Sequence, residues 1–396
     1  MQLVKNRLIL VQIINTFGNA VTWTGLPVYA FFLTKSYLFT SVLFIASSIA
    51  NIIMNLAGGY LVDKYSRKKL LLISLILSFL ISILIYLVIV FKVYFLLFPL
   101  TILSQLFGSL ILMSQNIWFN SIVPKDILAQ EISRRGSWIM TARTVGFSIG
   151  PILFTKLEMN AIIIDALTFL IAVLLIFNVE YINSNKVKKN TSYLSLVSTF
   201  REIWGINILR TYMFIYLLRG LTEIITINIS IYILNAEYHA ESFQISLFWL
   251  SGGIGGILVN MILSRVDFEK TSKYKLMYIS LLLSVGGILV MIFSNLWWVY
   301  TIGFLLTTFG NPILNNLLRA DLYINSPSDM KGKTDGVMNA IQQLGNFSIL
   351  IISGSLFFQK GVYILLWTIV ILSALRIILF FRNWKKDVNA EEKFLA

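Results

Sequence analysis

The chain has 396 residues, of which 57% are hydrophobic and only 13% charged, with a formal net charge of +14. Soluble domains carry about 25% charged residues, so this balance excludes a water-soluble core and leaves lipid as the solvent for most of the apolar surface. Cysteine is absent and His239 is the single histidine, which excludes disulfide frameworks, thiolate metal sites and imidazole clusters. The basic residues sit in short groups between apolar runs, a pattern that orients membrane helices and does not read nucleic acid.

Met1 to Arg7 carries Lys5 and Arg7 and runs straight into an apolar stretch without a small-residue cleavage site, so a retained first span is expected there. About 20 apolar residues cross the hydrocarbon as a helix. Reading apolar runs against polar breaks predicts twelve spans: 8–33, 38–62, 69–91, 93–120, 131–154, 160–180, 207–235, 242–264, 274–294, 296–320, 333–358 and 362–382. Alternate connections hold the basic groups Lys64/Arg67/Lys68/Lys69, Lys125/Arg134/Arg135, Lys186/Lys188/Lys189/Arg201, Arg265/Lys270/Lys273/Lys275, Lys331/Lys333 and Arg382/Lys385/Lys386. The positive-inside rule places those connections and both termini in the cytoplasm of a cell whose plasma membrane the chain crosses. Lys35, Lys92, Lys156 and Lys360 fall outside, and Arg143 and Arg219 within the membrane. Arg210, Arg319 and Arg376 lie near inner span ends, from which long side chains can snorkel. Trp297, Trp298 and Trp384 stand at span ends, as interfacial aromatics do.

The longest polar connection, 186–206, divides the chain into an N-terminal six-helix bundle (1–185) and a C-terminal one with a short tail (207–396). Its segment Tyr193 to Trp204 reads either as an interfacial helix or as a tether with some apolar residues. The halves look duplicated: the ten residues from Lys69 to Ser78 match those from Lys275 to Ser284, and Pro124-Lys125-Asp126 has a counterpart in Pro327-Ser328-Asp329. Both matches recur about half a chain later and in the same register as the basic loops. That favours an all-α protein of two pseudo-symmetric, similarly oriented half-bundles.

Between the second and third spans stands Gly59-Tyr60-Leu61-Val62-Asp63-Lys64-Tyr65-Ser66-Arg67-Lys68-Lys69. Gly59 permits close helix approach, and Asp63 suits the positive N-terminal end of a neighbouring helix. The stretch resembles the G-x-x-x-D-[RK]-x-G-R-[RK] signature of the major facilitator superfamily, with Ser66 in place of the second glycine. The resemblance implies that fold, with Asp63 locking an inner gate against the eleventh span and Arg67 and Lys68 holding the loop through carboxylates or anionic headgroups. Gly146-Phe147-Ser148-Ile149-Gly150-Pro151 is similar to the G-x-x-x-G-P core of the family's antiporter motif, though Ile152-Leu153 replace its glycine pair; plain helix packing by Gly146, Gly150 and Pro151 explains it as well. Ser104 stands four residues before Gly108, where drug exporters of the family often carry arginine. Asp165-Ala166-Leu167-Thr168-Phe169 looks like the D-A-x-[ST]-F stretch of the macrolide-efflux and siderophore-export branch.

Ionised groups near the bilayer centre cost several kcal/mol unless paired or wetted, which singles out Asp165, Glu223, Arg143 and Arg219. Arg219 and Glu223, four apart, share a helix face and read either as a structural ion pair or as a proton-exchanging carboxyl with its modulator. Asp165 reads as a proton carrier or as an anchor of the sixth span. Uncharged amides gather where this fold keeps its cavity: Gln12, Asn15, Asn19 and Trp23 in the first span, Gln105, Gln115 and Asn116 in the fourth, and Asn228, Asn311, Asn315 and Gln342 in the second half. They suit a neutral or amphipathic cargo, and equally serve to bind helices together.

No G-x-x-x-x-G-K-[ST] phosphate loop and no H-E-x-x-H occurs in the sequence, and the deep ionisable residues form no catalytic set, so neither an ATP-driven pump nor an enzyme is expected. The expectation is a cofactor-free secondary transporter, working as a monomer and exporting a drug or secreted metabolite in exchange for protons. A neutral-nutrient importer and a non-transporting sensor or immunity protein are the alternatives. Because the chain lacks cysteine, single cysteines placed at Lys69 and Lys275 report sidedness directly. Both are expected to react with an impermeant maleimide from the same membrane face.

Overall fold

The computed structural model describes residues 2–35, 37–124, 128–179, 194–263, 273–326 and 331–395. Thirteen helices run through them: α1 (Gln2–Thr34), α2 (Tyr37–Lys64), α3 (Arg67–Val90), α4 (Leu97–Ile122), α5 (Leu128–Leu157), α6 (Ala161–Phe177), α7 (Leu194–Gly205), α8 (Asn207–Tyr232), α9 (Ser242–Leu263), α10 (Lys273–Ile292), α11 (Trp297–Asn325), α12 (Lys331–Lys360) and α13 (Val362–Leu395). No strand occurs among the described residues. Lipid leaves no other outlet for backbone N–H and C=O groups, so each apolar run closes its hydrogen bonds within itself.

Each of the twelve expected spans coincides with a helix. Seven stretches among the described residues are long and apolar enough to cross a membrane by composition: Arg67–Val90, Tyr94–Ile122, Arg134–Phe177, Asn207–Glu237, Ser242–Val259, Lys275–Ile292 and Val362–Leu379. α1 is not among them, because Gln12, Asn15 and Asn19 interrupt its apolar run. The expected tail is helical too, α13 continuing to Leu395 through Ala390-Glu391-Glu392-Lys393, good helix formers all. In the 186–206 connection, residues from Leu194 onward form α7, which packs on α8 and α12. Its Ile203 is buried, whereas Phe200 and Trp204, one turn apart, stack together on the exposed face.

Packing groups the chain into two units, Met1–Thr191 with Glu241–Leu250, and Ser192–Ala240 with Ser251–Ala396. In the first, Leu8, Leu71, Leu75, Trp118, Phe119 and Phe169 form one apolar cluster and Val21, Leu26, Ile81, Phe154 and Ile162 another. In the second, Ile203, Leu209, Tyr212, Met277, Leu318 and Met338 pack together. The wiring repeats: α1 packs on α5 and α6 as α8 packs on α12 and α13, and α3 packs on α4 and α6 as α10 packs on α11 and α13.

Lipid tails are as apolar as leucine, so helices associate in the membrane by close fit. The α1–α5 crossing is built that way: a Cβ on Gly146 would lie 2.7 Å from the carbonyl oxygen of Phe17, and one on Gly150 2.6 Å from that of Val21. At the α8–α12 crossing a Cβ on Gly220 would lie 2.1 Å from the carbonyl oxygen of Gln342, and one on Gly345 2.5 Å from that of Leu217. Gly252 and Gly255 of α9 face Phe304 and Thr308 of α11 in the same manner. Several tight turns use left-handed backbone at Lys35, Lys92, Glu158, His239 and Gly361. Lys35 and His239, and likewise Glu158 and Gly361, are separated by nearly the same interval, about half the chain.

Gly220→Ala drives a methyl into backbone and is expected to cost about 1–3 kcal/mol of stability, as overpacked sites do. Gly136→Ala, where the added methyl meets nothing within 4 Å, is expected to be neutral or to stabilise by up to about 1 kcal/mol through helix propensity. Thermal unfolding of the detergent-solubilised variants checks the contrast.

Candidate functional site

The first unit holds a partly open cavity of about 250 Å3 lined by α1, α4, α5 and α6. Positions 12, 15, 16, 19 and 23 of α1 lie along one helical face, and Gln12, Asn15, Thr16, Asn19 and Trp23 line one wall. Gly108 and Gln115 come from α4, Arg143 and Phe147 from α5, and Phe169 from α6. Gly146 and Gly150 hold α5 against α1, which brings Arg143 and Phe147 to the same space. Asn15 and Gln115 are buried, yet both polar atoms of the Asn15 amide and Nε2 of Gln115 have no hydrogen-bond partner among the described residues. Arg143 is exposed into the cavity, and no carboxylate among the described residues lies within ion-pair distance of it.

At one end the cavity is aromatic. The Trp23 ring stacks 5.2 Å from Phe147 and meets Phe44 edge-on at 5.6 Å. Trp249, at the start of α9 and grouped with this unit, approaches Trp23 at 5.7 Å and Phe147 at 5.8 Å. Nearby, Ser242 Oγ donates to Thr155 Oγ1 at 2.6 Å.

A second, smaller cavity of about 40 Å3 shares Asn19 and Trp23 with the first and adds Gln105, Ser104, Thr22 and Asp165. Asp165 is 5% exposed. Ser82 Oγ donates to its Oδ2 at 3.5 Å, while Oδ1, beside Gly18, has no hydrogen-bond partner among the described residues. No cation among the described residues pairs with this carboxylate.

At the N-terminal ends of α1 and α5 lies a charge network for which sequence reasoning had no place. Lys5 Nζ donates to Glu131 Oε1 at 2.9 Å, both side chains buried, and Arg134 Nη2 lies 3.1 Å from Glu131 Oε2. Arg135, expected in an inner loop, is buried in α5. Its Nε donates to Gln12 Oε1 at 2.5 Å, its Nη2 donates to Asn116 Oδ1, and its guanidinium lies 4.4 Å over the Phe119 ring. Asn116 is therefore held by Arg135 and does not line the cavity. The signal for part of the network was the Glu131/Arg134 spacing, three apart on one face. It was obscured because α5 begins at Leu128, before the apolar run does.

In the second unit Glu223 Oε2 accepts from Arg219 Nε at 3.0 Å and from Gln342 Nε2 at 3.1 Å. Gln342 thus joins α12 to the α8 ion pair. Arg376, expected to snorkel, is instead 3% exposed: its Nη1 points to Thr222 Oγ1 at 3.4 Å, and its Nε and Nη2 have no partner. The guanidinium faces α8 because Thr222 lies one position from Glu223 and three from Arg219. Asn228 is buried within α8, and Asn311 and Asn315 are half-buried in α11.

Of the loop motif, Gly59, Asp63 and Lys64 close α2, and their contacts lie outside the described residues. Arg67 is buried at the start of α3. Lys68 Nζ donates to the carbonyl oxygen of Phe177 at 3.0 Å, at the C-terminus of α6, where a cation meets the negative end of the helix dipole. That is a different partner from the carboxylates and headgroups the resemblance implied. Pro151 sits inside α5, and its missing N–H releases the carbonyl of Phe147 one turn back, which accepts from Thr24 Oγ1 of α1 at 3.2 Å.

Two helical units of repeated wiring, with apolar side chains on the outer surface and, in the first unit, amide and charged side chains lining cavities, define a polytopic membrane carrier. The chain belongs to the Major Facilitator Superfamily, whose family model matches residues 8–350. It is a membrane transporter of that type with the all-α major facilitator fold. No curated protein matches it by sequence. Solved structures similar to it include the nucleoside transporter NupG (TM-score 0.78, 14% identity, covering 96% of this chain and 98% of that one). The D-xylose–proton symporter is similar as well (0.71, 13%, 96% and 96%), as is the POT family transporter PepTSo (0.76, 12%, 96% and 97%). At such identities the likeness is one of fold.

Breaking a buried ion pair from one side leaves an uncompensated charge and costs about 3–5 kcal/mol. Glu131→Gln is therefore expected to lower the stability of the detergent-solubilised protein by that order, and adding Lys5→Met to recover most of the loss. A double-mutant cycle on the unfolding midpoints measures the coupling.

Proposed function

We propose that this transporter is a proton-coupled exporter of an amphipathic small molecule, working by alternating access with the first unit's cavity as the cargo site. The observation that carries the reading is that the cargo cavity and the pocket of Asp165 share Asn19 and Trp23. A carboxyl that gains or loses its proton changes the field and hydrogen bonding on one side of that common wall, and a cargo contacts the other side. That is the differential interaction that coupling requires. Asp165 is the better coupling group than Glu223, which is engaged by Arg219 and Gln342. The likeness of its Asp165–Phe169 stretch to the macrolide-efflux and siderophore-export branch supports the outward direction. In this reading both termini are cytoplasmic, the membrane is the plasma membrane, the monomer is the working unit, and Asp63 closes the inner gate.

An import reading also has support, since the similar solved structures include a nucleoside transporter and a D-xylose–proton symporter, and amide-lined cavities suit neutral polar cargo. Energised inverted vesicles separate the two. Fluorescent amphipathic dyes are expected to accumulate inside them and to be released by an uncoupler, whereas accumulation indifferent to the gradient removes the coupling. Asp165→Asn is expected to cut gradient-driven accumulation about ten-fold or more, a barrier change of about 1.4 kcal/mol, while leaving dye binding in place. Uptake of labelled nucleosides or pentoses by intact cells, without dye accumulation in vesicles, would replace export by import.

A further inference from the structure

The charge of the cargo is written in the wall of the first unit's cavity. Arg143 stands in that wall with no carboxylate within ion-pair distance among the described residues. Contrast Lys5, Arg134 and Arg219, each of which meets a glutamate, and Arg135, which is met by two amides. Charges at membrane depth are tolerated where they are paired or wetted; this one is exposed to the cavity and has no carboxylate partner among the described residues, so an anion entering that space can reach it. The buried amides beside it are unspent as well: Asn15 with both Nδ2 and Oδ1, and Gln115 with Nε2, have no hydrogen-bond partner among the described residues. Unpaired buried amides carry their own desolvation cost. Here they line the same space as the guanidinium.

The cavity is also polarised along its length. Arg143 and Phe147 are one helical turn apart on α5, as Asn15, Asn19 and Trp23 are successive turns of α1, each turn rising about 6 Å. One end therefore presents a guanidinium and amide donors, and the other the stacked rings of Trp23 and Phe147.

We infer that this cavity takes an amphipathic organic anion, with the carboxylate of the ligand on Arg143, assisted by Asn15 and Gln115, and its flat apolar body against Trp23 and Phe147. The inference rests on the reading of this cavity as the cargo site and adds the sign of the cargo's charge and its orientation. A planar guanidinium pairs with carboxylate through two parallel N–H donors, which gives direction as well as attraction. Neutral cargo would leave the arginine as it stands.

Matched probes test this: 2-naphthoate and 2-naphthamide share a ring system and shape but differ in charge. The full-length protein is placed in phosphatidylcholine nanodiscs and binding is read from the shift of its unfolding midpoint with ligand concentration. 2-Naphthoate is expected to bind at least about ten-fold tighter than 2-naphthamide, equivalent to about 1.4 kcal/mol. Arg143→Gln is expected to abolish that preference with 2-naphthamide affinity unchanged, Arg143→Lys to retain part of it, and Trp23→Ala to weaken both probes together. Arg143 makes no hydrogen bond or ion pair among the described residues that its loss would break, so the ligand-free variants are expected to melt near the parent, and Arg143→Lys serves should the glutamine variant not fold. Equal affinity for the two probes, a preference that survives Arg143→Gln, or binding of neither probe overturns the inference. Arg143-dependent competition by phosphatidylglycerol would assign the site to a lipid headgroup and overturn it too. Binding is read without turnover, so uncoupled vesicles with the charge preference intact would sink the export reading and leave the anion site standing.

Discussion

Everything in the first unit depends on how closely α1 can lie against α5. In lipid no hydrophobic force draws two apolar helices together, so the contact has to come from backbone fitting backbone. Gly146 and Gly150 remove the side chains that would hold α5 away, and Gly25 removes one from α1. The closeness has two results. It places Lys5 against Glu131 and Gln12 against Arg135 at one end of the crossing. Further along it turns Asn15, Asn19 and Trp23 toward the space that Arg143 and Phe147 also enter. One steric constraint thus sets both the charge network and the cavity wall.

The two units solve the problem of membrane-buried charge differently. In the first, the ionic groups at the start of α1 and α5 are satisfied by one another, and those deeper in, Arg143 and Asp165, stand in separate pockets without a counter-charge. In the second, Arg219, Glu223 and Gln342 form a bonded set, with Arg376 behind Thr222. Unsatisfied groups are where a ligand or a proton has something to gain by binding, and bonded sets are where helices are fixed. Under the proposed function, cargo and coupling fall to the first unit, while the ion pair within α8, joined to α12 by Gln342, fixes helices.

Much of this was legible in the residues. Apolar runs of span length located the twelve spanning helices, because the cost of unpaired backbone in lipid leaves the chain no alternative, but they gave neither the short α7 nor the continuation of α13 from 382 to Leu395. The amides of the first span were legible as polar groups that could line a cavity or bind helices together; Asn15 and Asn19 line the cavity, while Gln12 lines it and also accepts from Arg135. Arg135 and Arg376 were misplaced for one shared reason: a cation near a span end is ordinarily free to reach water, and only the tertiary partners, Gln12 and Asn116 for one and Thr222 for the other, show that it does not. The role of Asn116 was misread along with Arg135. Lys68 was legible as basic, but its acceptor, the Phe177 carbonyl, lies at the end of a helix far along the chain, and no spacing rule reaches that far.

The left-handed turn residues carry one more message. Lys35 and His239 share neither charge nor shape, and Glu158 and Gly361 are no more alike, yet each pair bends the chain the same way at equivalent places in the two halves. For residues with a Cβ that geometry is strained, so chance is a poor author of the coincidence. The simplest history is a single ancestral half whose gene was copied end to end. Its side chains have since drifted almost beyond recognition, while the left-handed bend at these two corners is shared by both halves.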